Sequence, residues 1–267
     1  KILNNGMYSM FGLESIWMFF IFLAVSILGS LMGTAAGYLK VPTLIFYGYI
    51  IDAVAISLLL NLYISIPSTL IKAKRKLIDY RISVPLIIGS LFGTITGNLV
   101  YNLIMNSGLL LLYVAIRLLT SKENSAKIDL NKNKSYKITK KIFLIVIFIG
   151  YSAGFLSTIF GIGGGIVITP SLTIIFNFNI KKSVGTSFFV MNFTSCFGII
   201  ENIIDGKYTM DSVMLAIFLG IGIIIGALIG SYISKKAKPK HLKYIFVAII
   251  FGIAIPFLLI SYFNPIF

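Results

Sequence analysis

Two short stretches carry the residues best suited to chemistry. FGIGGGIVITPSL, from Phe160 to Leu172, holds Gly161, Gly163, Gly164, Gly165 and Pro170, and GTAAGYLKVPTL, from Gly33 to Leu44, holds Gly33, Ala35, Ala36, Gly37, Lys40 and Pro42. Glycine costs roughly 1 kcal/mol against alanine in a helix interior and proline about 3, so a helix entering either stretch breaks there. A break followed by a new half-helix presents backbone N–H groups with few side chains in the way, and a helix N-terminus favours an anion. Lys40 adds a positive charge where the second stretch has Ile168. An ammonium within a membrane costs at least ~2.5 kcal/mol on insertion scales. An anion would compensate it, and snorkelling to an interface is the other reading. In the apolar segments that follow, Ser57, Asn61 and Ser65, and then Thr186, Ser187, Asn192 and Ser195, fall near helical spacing. They are placed to complete a pocket for a small anion or to hydrogen-bond helix to helix.

Other chemistries lack their residues. The single cysteine, Cys196, excludes an internal disulfide and a cysteine-built metal site, and reads as a small buried hydrophobe. The single histidine, His241, lies among lysines in KKAKPKHLK and reads as solvated. No catalytic constellation, metal site or cofactor is expected. No GxxxxGK[ST] loop is present to bind a nucleotide phosphate. A membrane-embedded enzyme or redox factor would need paired Cys, His or acidic residues inside the membrane, which the sequence does not offer.

The elements that position these residues are membrane helices. Of 267 residues 58% are hydrophobic and 12% charged, and apolar runs recur, among them Ile16 to Gly29, Lys141 to Gly150 and Tyr244 to Phe263. About twenty apolar residues cross a bilayer. More membrane follows the first run, which argues against a secretory signal peptide. The net charge of +15 would point to nucleic acid in a soluble protein. Here the basic residues sit in short loops, so no nucleic-acid partner is expected and the charge reads as topology, with the bilayer as partner.

The chain also repeats itself. Gly33 to Leu44 aligns without a gap on Gly161 to Leu172, Val54-Ala55-Ile56-Ser57 on Val184-Gly185-Thr186-Ser187, and Gly89, Gly93 and Gly97 on Gly222, Gly226 and Gly230. The glycine series read as close helix packing. The expected organisation is a first membrane repeat over 12–120, a polar basic cytoplasmic linker over 121–140 and a second membrane repeat over 141–263. Basic clusters lie at Lys72 to Arg81, in the linker, at Lys181 and Lys182, and at Lys235 to Lys243. Re-entrant Gly-Pro segments would give eight crossings and put the last two clusters outside. Crossing segments give ten and put every cluster inside, as cytoplasmic loops require. The favoured reading is an all-α polytopic protein of two inverted repeats, each of four helices and one Gly/Pro-broken segment. That is a recurrent secondary-transporter plan, with its site at the broken helices.

The pattern GxGGGxxxxPxL, followed by a VGTS-like stretch, resembles the sulfite exporter TauE/SafE family of membrane transporters. Gly161, Gly163, Gly164, Gly165, Pro170 and Leu172, then Val184 to Ser187, carry it in the second half. In the first half Ala35 and Ala36 replace glycines and Val54 to Ser57 is a partial match. The resemblance implies transport of small sulfur-containing anions, such as sulfite, thiosulfate or organosulfonates, across the cytoplasmic membrane of a prokaryote. The expected activity is alternating-access transport. An anion channel or a permease for another small anionic metabolite is the alternative. Coupling to a proton or sodium ion stays open beside facilitated movement, since Glu14, Asp52 and Glu201 lie near helix ends.

Overall fold

The computed structural model describes residues 13–49, 52–105 and 140–234. Among them are eight helices and no strand: α1 (Leu13–Met32), α2 (Gly37–Phe46), α3 (Ala53–Lys74), α4 (Tyr80–Met105), α5 (Lys140–Phe160), α6 (Gly165–Ile174), α7 (Ile180–Ile204) and α8 (Met210–Ile233). All except α2 and α6 are long and apolar enough to cross a membrane. The other two have ten residues each, about 15 Å of helix, half of a ~30 Å hydrocarbon core. The all-α polytopic expectation holds. His241, the basic cluster at Lys235 to Lys243, linker residues 121–139 and the apolar run at Tyr244 to Phe263 lie outside the described residues.

Backbone contact between helices organises the bundle. α4 lies along α5, α1 along α8, and α3 packs on α7; α3 also meets α8 and α4 meets α7. Each pairing has a counterpart when the two halves are exchanged. The reason lies in the glycines. A Cβ added at Gly89 or Gly93 would strike the carbonyl oxygen of Ile147 or Tyr151, and one at Gly150 or Gly154 would strike that of Leu86 or Ser90. On the other side of the bundle, Gly226 and Gly230 leave room for the carbonyl oxygens of Leu23 and Ile27. Without a hydrophobic driving force between helices in lipid, such close approach supplies the packing. Large apolar residues such as Phe92, Phe148 and Ile204 stay exposed on the outside, as a bilayer-facing surface requires. A buried cluster including Phe22, Ile56, Leu60, Phe188 and Leu219 fills the centre.

Polar contacts tie the loops together. Lys182 pairs with Asp79 at 2.7 Å, and Lys207 with Asp205 at 2.9 Å. Two expectations change. Cys196 is exposed on α7 rather than buried, because the inward positions of that turn go to Thr194 and Ser195. Lys72, grouped by sequence with a basic loop, is buried in the last turn of α3.

Replacing Gly93 or Gly226 by alanine is expected to lower the melting temperature of the purified protein well below that of Gly198→Ala. In the last variant the new methyl meets the flexible end of Leu58 at 3.1 Å rather than backbone. Thermal unfolding followed by size-exclusion chromatography reads the difference. Burial pushes the Asp205 carboxyl up, but hydrogen bonds from Asn98, Lys207 and Asn102 and the charge of Lys207 outweigh it and hold it below its ordinary value. Its contribution to stability is therefore full above the ordinary carboxylate pKa and lost as pH falls through the lowered one. Asp205→Asn is expected to flatten the acid limb of a plot of melting temperature against pH.

Candidate functional site

The two helix breaks share left-handed backbone at matching positions. Gly33, Ala35 and Ala36 after α1, and Gly161, Gly163 and Gly164 after α5, all have positive φ, from 51° to 82°. Glycine occupies that region freely. For a residue with a Cβ it costs about 1–3 kcal/mol and persists only where the surroundings enforce it; Ala35 and Ala36 are fully buried. Ala36 and Gly164 then serve as N-caps of α2 and α6 without any side-chain cap. Among the described residues the amides of Ile162, Gly163 and Gly164 find no acceptor, while the Gly165 amide donates to the Gly163 carbonyl at 2.8 Å. Successive unpaired N–H groups at a helix start form a concavity that suits an anion.

Each turn is held by the opposite half of the chain. The Gly161 carbonyl accepts from Ser57 Oγ at 2.8 Å and from Asn61 Nδ2 at 2.9 Å. The Gly33 carbonyl accepts from Ser187 Oγ at 3.1 Å and Thr169 Oγ1 at 3.2 Å. The turns also touch each other: a Cβ on Gly37 would strike the Gly161 carbonyl and Ile162, and one on Gly165 would strike the Gly33 carbonyl. Glycine opens both half-helices because a neighbouring backbone occupies the space.

Lys40 lies one turn into α2, fully buried, and does not snorkel. Its Nζ donates to Asn61 Oδ1 at 3.0 Å, and Asn61 passes the contact on to the Gly161 carbonyl. Among the described residues no carboxylate pairs with it. An ammonium buried without a counter-charge is costly, and an anion placed beside Lys40 would offset that cost.

The remaining sequence candidates lie at graded distances from this centre. Pro42 is buried in α2, whereas Pro170 is exposed on α6. Both lack the N–H that the carbonyl four residues earlier would use. Asn192 accepts from Ser65 at 2.6 Å and donates to Thr69 at 2.8 Å, joining α7 to α3. Thr186 accepts the Asp79 amide at 3.0 Å in the loop before α4, away from the turns. Ser195 is buried and its hydroxyl has no partner among the described residues. Sequence reasoning passed over Thr169, although it sits inside the quoted stretch, and Met191, whose sulfur lies 3.3 Å from the Cβ position of Gly163 and which carries no polar signal. Among the described residues no three His, Cys, Asp or Glu side chains group to hold a metal. Chemically the arrangement offers backbone N–H donors and a buried lysine beside each other.

The family model described as Sulfite exporter TauE/SafE matches residues 18–257, a span that contains both turns. The chain belongs to the sulfite exporter TauE/SafE family. Among relatives, a protein of Methanocaldococcus jannaschii named as a probable membrane transporter is 33% identical over 253 residues, covering 88% of this chain and 92% of that protein. YunE of Bacillus subtilis, named likewise, is 28% identical over 202 residues, 67% of this chain and 74% of YunE. No solved structure matches. As a TauE/SafE protein with these spans, the chain is a multi-pass membrane transporter.

Asn61→Leu strands both Lys40 and one acceptor site on the Gly161 carbonyl, whereas Ser57→Ala leaves that carbonyl bonded to Asn61. Losing a buried partner costs about 1–3 kcal/mol. Asn61→Leu is therefore expected to lower the melting temperature clearly more than Ser57→Ala, read on the purified proteins side by side.

Proposed function

We propose that this TauE/SafE protein is a secondary transporter for a small oxyanion, a sulfur-containing one such as sulfite or thiosulfate, or an organosulfonate. The anion binds between the two glycine turns against Lys40. The observation that carries this is the fully buried Lys40 side chain, its Nζ bonded to Asn61, beside the amides of Ile162 to Gly164 that have no acceptor among the described residues. The family description supports a sulfur oxyanion as the class.

The movement is alternating access. The α1–α8 and α4–α5 pairs act as two blocks, and α3 and α7, with the half-helices, rock between them. The matched helix pairings and the matched turns support a two-fold relation between the halves. An odd number of crossings in each half would make that relation inverted, with the basic loops on the cytoplasmic side of a prokaryotic cell membrane. A proton or sodium ion drives the anion, or the anion moves down its own potential. A channel would use the same turns as a filter and would show no counterflow.

The test is counterflow of 35S-labelled sulfite and thiosulfate into liposomes holding the purified protein. Saturable exchange is expected in the wild type. Lys40→Met is expected to raise the half-saturating concentration at least ~10-fold, the value of one charged hydrogen bond, and Gly164→Leu to abolish exchange by filling the turn. Conductance without counterflow would favour the channel. Folded protein inert to both anions would detach the sulfur-anion class.

A further inference from the structure

One face of α3 is polar from end to end. Ser57, Asn61, Ser65, Ser68 and Lys72 follow at intervals of four, four, three and four residues, the spacing of a single helical face, and all are buried. The first two hold the Gly161 turn. The last lies eleven residues beyond Asn61, about 16 Å along the helix, and it is a second buried cation.

Lys72 is 2% exposed. Its Nζ donates to the Ser30 carbonyl at 3.3 Å and to Ser231 Oγ at 3.2 Å, and lies 4.7 Å from the centre of the Phe188 ring. Around it the hydroxyls of Ser30, Ser68 and Ser231 form a closed triangle with edges of 2.5 to 3.1 Å. Ser30 also reaches the Ala227 carbonyl at 3.0 Å, and Arg75 donates to the Ser231 carbonyl at 2.9 Å. Every partner is neutral; among the described residues no carboxylate pairs with Lys72. Each hydroxyl has one proton, at present spent within the triangle or on the Ala227 carbonyl; rotated off those bonds, the three beside a lysine amine make a donor set of the kind that coordinates a small oxyanion.

The other half supplies a comparison. With Ser57 set on Ser187 and Ser65 on Ser195, Asn61, Ser68 and Lys72 fall on Met191, Gly198 and Asn202. The α7 stripe thus has no cation where α3 has Lys72. A lysine needed only for packing at this helix end would not require a hydroxyl path leading back to the Lys40 centre. Intramembrane cations that face the bundle interior mark ion pathways.

We propose that Lys72, with Ser30, Ser68 and Ser231, is a second binding station for the transported oxyanion. The anion reaches it from the Lys40 centre along the Ser65–Ser68 face, between that centre and the basic loop after α3. This rests on the anion-transporter reading above.

Equilibrium binding of 35S-sulfite to the purified full chain tests it. The wild type is expected to bind two equivalents per chain, Lys72→Met one, Lys72→Arg two and Lys40→Met one. In liposomes Lys72→Met is expected to slow sulfite counterflow at least tenfold, with Lys72→Arg restoring most of it. One equivalent in the wild type, or two persisting in Lys72→Met, overturns the second station while leaving the transporter reading intact. Loss of the second equivalent without any change in counterflow overturns its place on the path. No binding by folded wild type overturns both readings. Should Lys72→Met fail to fold, Lys40→Met decides: one remaining equivalent upholds the station and none overturns it.

Discussion

The carbonyl oxygens of Gly33 and Gly161 each sit where the opposite half-helix begins, and the rest of the site follows from that contact. Gly37 and Gly165 are the residues at those beginnings, and neither has room for a methyl. With the two turns in contact, hydroxyl and amide side chains from α3 and α7 can reach across and bond the carbonyls. Irregular backbone at membrane depth is tolerated only where protein or a wet cavity satisfies it. Here the carbonyls are satisfied by the partner half, and the free N–H groups of one turn are left as donors.

The two outer helix pairs stabilise this centre in a different way. α4 with α5 and α1 with α8 approach until glycine Cα atoms lie against carbonyl oxygens. That gives two well-packed blocks whose outer faces carry large apolar side chains toward lipid. Polar residues concentrate on α3 and α7 between them. The structure thus divides into closely packed apolar blocks and a polar seam between them.

The seam is not symmetric. The backbone turns match residue for residue in φ, but Lys40 and Lys72 both belong to the first half, against Ile168 and Asn202 in the second. The first half also tolerates Ala35 and Ala36 in a left-handed turn. Both alanines are fully buried, and the surrounding packing holds those angles without glycine.

Much was legible in the residues alone. Apolar run length determined a polytopic helical protein, because crossing a bilayer demands a fixed number of apolar residues. Glycine and proline determined where the helices break, since their backbone costs are local. The glycine series were readable as packing faces for the same reason. What each polar side chain touches was decided only by tertiary structure. Ser57 and Asn61 serve a turn a hundred residues or more away, Thr186 serves a loop, and Cys196 is exposed although Thr194 and Ser195 before it are buried. Lys72 looked like a loop cation because charge at a helix end reads as solvated. Its burial depends on Ser30 and Ser231 arriving from α1 and α8, and contacts between residues so far apart in the chain leave no mark in local spacing.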